Sequence, residues 1–172
     1  LKIKFSAMRI EEEIKLDYSD VLFRPKRSTL KSRKEVDLTR TYKFKHSKRE
    51  WEGVPIIASN MDGVGELEVA NSLSEFKILT ALTKQHDINS INNFKPIKLI
   101  FNFVALSCGT SKESYDRLNS IISEHTYVQF ICIDVANGYS ENFSHFVASV
   151  REKYPSKTII AGNVVTADMT QE

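Results

Sequence analysis

The rhythm of apolar and polar positions changes at Gly53. Upstream of it, from Met8, the chain is polar, charged and weakly periodic. Residues 20–23 and 43–45 have the character of two short strands, and Arg24-Pro25 breaks any helix between them. Downstream, short apolar runs alternate with amphipathic stretches. Residues 130–135 read as a strand buried on both faces, 55–59 as a buried strand, and 78–82, 98–106 and 158–161 as further strands. Between them, Leu67, Ala70, Leu73 and Phe76 share one helix face, Tyr115, Leu118, Ile121 and Ile122 another, and Phe143, Phe146, Val147, Val150 and Tyr154 a third. Start signals fit these helices. Asp87 and Ser140 stand at N-cap positions, Thr110 and Glu113 have capping-box spacing, and Thr166 opens a last helix.

Strands alternating with helices in this way make βαβ units and a parallel sheet. A closed (β/α)8 barrel takes about 250 residues and eight strands. Four complete units and part of a fifth are present in these 172 residues. The pattern therefore describes either an open sheet or the front half of a barrel. In both cases the five strands should run parallel, adjacent and in sequence order, with the helices on one side of a curving sheet.

Composition narrows the class. The chain is 41% hydrophobic and 27% charged, as a soluble globular domain with its own core would be. No apolar run approaches the ~20 residues of a membrane helix. The two cysteines, Cys108 and Cys132, exclude a disulfide framework and fit a reducing, cytoplasmic setting. His46, His86, His125 and His145 are scattered without ligand spacing, so no zinc site is expected. Net charge is +2, but residues 24–34 (RPKRSTLKSRK) are basic without an acid. Such a run either binds phosphate or nucleic acid or is a solvated loop, and no aromatic residues are interleaved in it as nucleic-acid binders require. Residues 1–7 precede Met8, lack the features of a signal peptide, and are set aside as a tail, leaving residues 8–172 as the folded part.

Asp134 closes a buried strand just ahead of the Asn137-Gly138 turn. Parallel α/β folds place their chemistry there, although a carboxylate at that point can equally serve to tie down its own loop.

Four segments, KLDYSDVLFRPKRSTLKSR (15–33), GVPIIASNMD (53–62), ICIDVANGYS (131–140) and TIIAGNVVT (158–166), together resemble GMP reductase of the IMP dehydrogenase/GMP reductase family of (β/α)8 TIM-barrel enzymes. No extra module interrupts the stretch after Lys84, where IMP dehydrogenases carry a regulatory insertion. The resemblance implies the N-terminal four to five βα units of such a barrel. It also implies NADPH-dependent reductive deamination of GMP to IMP and ammonia, in a cytoplasmic homo-oligomer, a tetramer in the family, without membrane or nucleic-acid partners. The family's nucleophilic cysteine lies on a GPGSxC loop that does not occur in these residues. The resemblance places it beyond Glu172, with most GMP contacts and the monovalent-cation (K+) site, so no catalytic residue and no metal ligand is assigned in this chain.

The cofactor half carries over by position. Ser32 and Arg33 match residues that reach the NADP of a neighbouring subunit, and a guanidinium suits a phosphate. Lys84 matches a family lysine near cofactor or base, and Asp134, Val135 and Ala136 match a segment at the nicotinamide end. Asn60 and Asp62 match the NMD motif, as substrate-site residues or as organisers of the turn. Asp62, Lys84, Cys108 and Asp134 should then all open onto the C-terminal edge of the sheet. Several positions depart from the pattern. Gly63 replaces a threonine, Glu66 replaces a small polar residue, and Lys84 sits in TKQHD instead of HKHY. Cys108 replaces a hydroxyl residue beside a helix start, which makes it a candidate substitute nucleophile, while Cys132 reads as core. Two other functions fit the chain: a non-catalytic nucleotide-binding partner of a full-length reductase, and a basic RNA- or nucleotide-binding module.

Overall fold

A computed structural model describes residues 12–95 and 101–172; the expected tail 1–7 and the first residues of the expected strand 98–106 lie outside the described residues. The chain divides into two units, Leu1–Val36 and Asp37–Glu172. In the first, Asp17 and Asp20 accept each other's backbone bonds and close a 3-10 turn, Tyr18–Asp20. The strand expected over 20–23 does not form. Short acidic side chains that bond their own backbone favour turns over ladders. A second turn, Arg33–Glu35, is capped by Ser32, whose Oγ accepts from Lys34 N at 3.3 Å.

The second unit holds a sheet in the order β1 (Arg40–Lys43), β2 (Glu50–Ala58), β3 (Ile78–Ala81), β4 (Val104–Cys108), β5 (Phe130–Asp134) and β6 (Thr158–Gly162). From β2 to β6 every pairing is parallel, as the alternating pattern requires. Helices α1 (Leu67–Ser74), α2 (Ile88–Asn93), α3 (Lys112–Glu124), α4 (Glu141–Lys153) and α5 (Ala167–Gln171) follow successive strands from β2 onward. The architecture is a partial (β/α)8 barrel.

Alternate strand residues face opposite sides. On one side, Val104, Leu106 and Cys108 of β4 and Ile131 and Ile133 of β5 pack with Leu118, Phe143 and Val150 of the helices. On the other, Leu79, Ala105, Phe130 and Cys132 pack with Phe44 and Trp51. Each fully buried side chain of this size contributes about 1.5–3 kcal/mol relative to exposure.

Local departures have local causes. The strand expected over 43–45 is displaced to Arg40–Lys43, which pairs antiparallel with the N-terminal part of β2. That part, with exposed Glu50 and Glu52 flanking half-buried Trp51, reads as polar in sequence because one face stays in water. In place of an early third strand, Phe101–Phe103 form a 3-10 turn that buries Phe101. Phe76 is 67% exposed, because α1 ends at Ser74 and the chain turns through a left-handed Lys77 at φ 57°. Helix α3 is capped by Ser111, not Thr110: Ser111 Oγ accepts from Ser114 N at 3.2 Å, and Ser114 Oγ accepts from Gly109 N at 2.8 Å. Asp87, Ser140 and Thr166 cap their helices as the sequence suggests.

His125, buried at the C-terminus of α3, knits the end of the sheet opposite the βα loops. Its ring stacks on Phe101 at 5.2 Å. Asn92 Nδ2 donates to Glu124, so Asn92 Oδ1 accepts from His125 Nε2 at 2.8 Å. His125 Nδ1 lies 2.8 Å from the Tyr127 hydroxyl, so both ring nitrogens have a hydrogen-bond partner. His125→Ala would leave a void beneath Phe101 and remove two hydrogen bonds, and should cost about 2–4 kcal/mol in urea unfolding. A loss within measurement error would remove this cluster from the core.

Candidate functional site

The loops that leave the C-terminal ends of the parallel strands are tied to one another by backbone bonds. Beyond Asp134, the ladder between β5 and β6 continues into them: Val135 N donates to Gly162 O at 2.9 Å and Asn163 N donates to Val135 O at 2.8 Å. Gly138 N then donates to Asn163 O at 2.9 Å. A Cβ on Gly138 would lie 2.7 Å from that carbonyl oxygen, so only glycine allows the approach. Tyr139 completes the tie. Its hydroxyl accepts from Val165 N at 2.8 Å and Thr166 N at 2.9 Å and lies 3.2 Å from Thr166 Oγ1. These bonds hold its phenol below the usual range, with the Thr166 side chain the largest cause.

A second tie joins the first two loops. Thr83 N donates to Gly65 O at 2.8 Å. A Cβ on Gly65 would sit 2.6 Å from Ala81 O, so glycine is what lets the β2–α1 loop close on β3. Next to this contact, His86 Nε2 lies 3.2 Å from Glu66 Oε2, close enough to pair yet not aligned as a hydrogen bond.

Two clefts open between these loops. The larger, about 790 Å³, is lined by Lys84, Gln85, Thr110, Ser111, Glu113 and Arg117 on one side and Asp134, Val135, Ala136 and Asn163 on the other. Cations, hydroxyls, carboxamides and small apolar groups therefore face one space. The smaller, about 360 Å³, lies over the strand ends and is lined by Asn60, Cys132, Asp134 and Asn163 among others. Asp134 and Asn163 line both.

The structure thus gathers Lys84, Asp134, Val135 and Ala136 about one cleft, and Asn60 with Asp134 about the next. Asp62 is exposed on the turn after β2, outside the residues lining either cleft. Ser32 and Arg33 are exposed on the N-terminal unit. Cys108 does not open onto the edge. Its side chain is buried in the helix-facing core, because period-2 alternation along β4 turns it away from the cleft. Burial, with a smaller contribution from Cys132, pushes its thiol up to about 12. Cys132 is also pushed up by burial. A thiol serves as nucleophile only as thiolate, so Cys108 is removed from candidacy. Sequence reasoning missed Arg117 and the bracing role of Tyr139. Tyr139 stands inside the ICIDVANGYS segment, and Arg117 follows Glu113 at i,i+4 spacing, but their partners lie 26–33 positions away.

A row of βα loops around strand-end clefts, on a partial barrel, defines a protein of the (β/α)8 enzyme class. The sequence profile of the IMP dehydrogenase / GMP reductase domain matches residues 15–172, and the chain belongs to that family. It is 50% identical over 167 residues to a GMP reductase of Citrobacter koseri, covering 96% of this chain and 48% of that protein. A GMP reductase of Escherichia coli O81 is 50% identical over 169 residues, with the same shares covered. Among solved structures, inosine 5' monophosphate dehydrogenase from Legionella pneumophila superposes with a TM-score of 0.67 at 27% identity, over 86% of this chain and 44% of that one. The chain spans about half the length of the curated relatives it matches. Among the described residues no helix is long and apolar enough to cross a membrane.

Burial of both thiols has a direct readout. The folded protein should leave Cys108 and Cys132 unmodified by a thiol reagent at pH 8, and both should react once denatured, because thiolate and access are needed together. Fast labelling of Cys108 in the folded protein would restore it as a reactive group.

Proposed function

We propose that this chain supplies the dinucleotide-binding half of a GMP reductase, with NADP(H) taken into the cleft between Lys84 and Asp134–Ala136. The observation that carries the reading is the convergence of Lys84, Asp134, Val135 and Ala136 on one space large enough for part of a dinucleotide. The donor set fits that group. An ammonium and the hydroxyls of Thr110 and Ser111 suit phosphate and ribose, and Val135 and Ala136 give apolar surface for a ring face. The reading is supported by the 50% identity to proteins named GMP reductase. When bound, the dinucleotide supplies the hydride by which GMP is converted to IMP with loss of ammonia.

This chain's own residues bind and orient. Lys84 offers positive charge at the end of β3. The Val135–Gly162 and Asn163–Val135 bonds hold Asp134 to Ala136 in fixed register, so positioning costs little on binding. Asn60, which with Asp134 lines the smaller cleft, is the substrate-side candidate, and Asp62 stands exposed on the turn that follows it. Ser32 and Arg33 are assigned to the cofactor of a neighbouring copy, which makes the working form a homo-oligomer. No residue of this chain is assigned to the family's monovalent cation.

Chemistry on GMP needs a thiolate within reach, and both cysteines of this chain are buried. These 172 residues by themselves are therefore a binding half without turnover. Fluorescence titration should show NADPH binding that Lys84→Ala weakens about tenfold, the effect of losing one charged contact. With GMP and NADPH together, no IMP should appear. Unchanged affinity in Lys84→Ala would defeat the cofactor assignment, and IMP formation abolished by Cys108→Ala would defeat the absence of turnover.

A further inference from the structure

We propose that Arg117, on α3, is a positioning residue that acts on the cofactor through Lys84; the inference rests on the cofactor reading above. Lys84 is exposed and sits in a loop, so nothing in the strand fixes its backbone. Arg117 does so from outside that loop. Its Nη1 donates to the Lys84 carbonyl at 2.6 Å, and its Nη2 donates to Glu113 Oε1 at 3.3 Å. A guanidinium can grip a carbonyl and a carboxylate at once because its donors form a rigid planar fork, and an ammonium presents no such fork. The base from which it reaches is firm. Helix α3 is capped by Ser111 and buries Leu118, Ile121 and Ile122.

The opposite flank of the loop is held separately. Thr83 N donates to Gly65 O at 2.8 Å, and His86 stands 3.2 Å from Glu66. Residues 83–86 are thus gripped from the β2–α1 loop on one side and from α3 on the other.

Charge separates the two cations of the cleft. Arg117 is paired with Glu113, while Lys84 has no carboxylate partner among the described residues. A compensated cation adds little to the attraction felt by an anionic ligand, and the unpaired one carries it. Arg117 therefore sets where the Lys84 charge stands and does not itself take the phosphate. The arrangement puts a determinant of cofactor affinity on a helix outside every motif that marks the family in this sequence.

The test is a double-mutant cycle on the full 172-residue chain. NADPH affinity is measured for wild type, Lys84→Ala, Arg117→Ala and the double variant, with amide exchange followed across residues 84–86. Arg117→Ala should weaken NADPH about fivefold in the wild-type background and less than about twofold when Lys84 is already alanine, because contacting residues couple non-additively. Amide exchange across residues 84–86 should quicken in Arg117→Ala. Arg117→Lys keeps the charge but not the fork, and should match Arg117→Ala in affinity while melting at the wild-type temperature. Additive losses would mean that Arg117 meets the cofactor directly and would overturn the proposal. So would a normal loss in Lys84→Ala beside an unchanged Arg117→Ala, or unchanged exchange at 84–86. If Lys84→Ala itself binds NADPH as wild type does, the cofactor reading falls and this role falls with it.

Discussion

Val135 N–H reaches Gly162 O at 2.9 Å, and Asn163 N–H returns to Val135 O at 2.8 Å, so the β5–β6 ladder runs on past Asp134. The rest of the cleft depends on this extension. Loops normally begin where pairing stops, and they loosen there. In this chain the pairing persists into the loops, and Gly138 and Tyr139 add bonds to the same short segment. Asp134, which lines both clefts, is thereby held by its neighbours' backbone, whatever its own carboxylate does. Tying down the loop, a task the sequence left open to Asp134, is performed instead by the residues just after it.

The other wall of the cleft is assembled by a different device. Gly65 lets one loop come against β3, and Glu66 and His86 then meet across the junction. Both residues stand where the sequence departs from the pattern it otherwise resembles. In this structure the acidic residue on one loop faces the histidine on the next. The His86 side chain is 14% exposed, and its Nε2 stands 3.2 Å from Glu66 Oε2 without an aligned hydrogen bond. The contact joins the β2–α1 loop to the loop that bears Lys84.

Legibility in the sequence followed the range of the interactions. The five parallel strands could be read because each carries a short apolar run that needs no partner to be recognised, and only in β3, β4 and β5 is that run mostly buried; Ile56 and Ile57 of β2 stay exposed. The β1–β2 hairpin could not, since Glu50 and Glu52 face water and only Trp51 and Gly53 turn inward. The Ser140 cap was visible because its acceptor and donor lie three residues apart, whereas the choice between Thr110 and Ser111 turned on Ser114 bonding back to Gly109. Cys108 misled because nearness to a helix start was visible and the face of β4 on which it lies was not. Of the candidate site, the residues at strand ends were legible from position alone. What braces them, Arg117 to Lys84 and Tyr139 to Val165 and Thr166, was not, because it joins segments far apart in sequence.

The hairpin that the sequence concealed places the chain's one tryptophan. Trp51 meets Phe103 at 6.0 Å and Phe130 at 6.2 Å edge to face, and its indole N–H donates to Asn102 O at 3.1 Å. It borders the same apolar hollow as Ile56 and Ile57, which are 56% and 53% exposed. The ring therefore stands on the sheet face turned away from the helices, at a hollow distinct from the cleft that holds Lys84. Indole emission shifts to the blue when water leaves its surroundings. In this protein the colour of a single fluorophore is a gauge of whether that face is wet or dry.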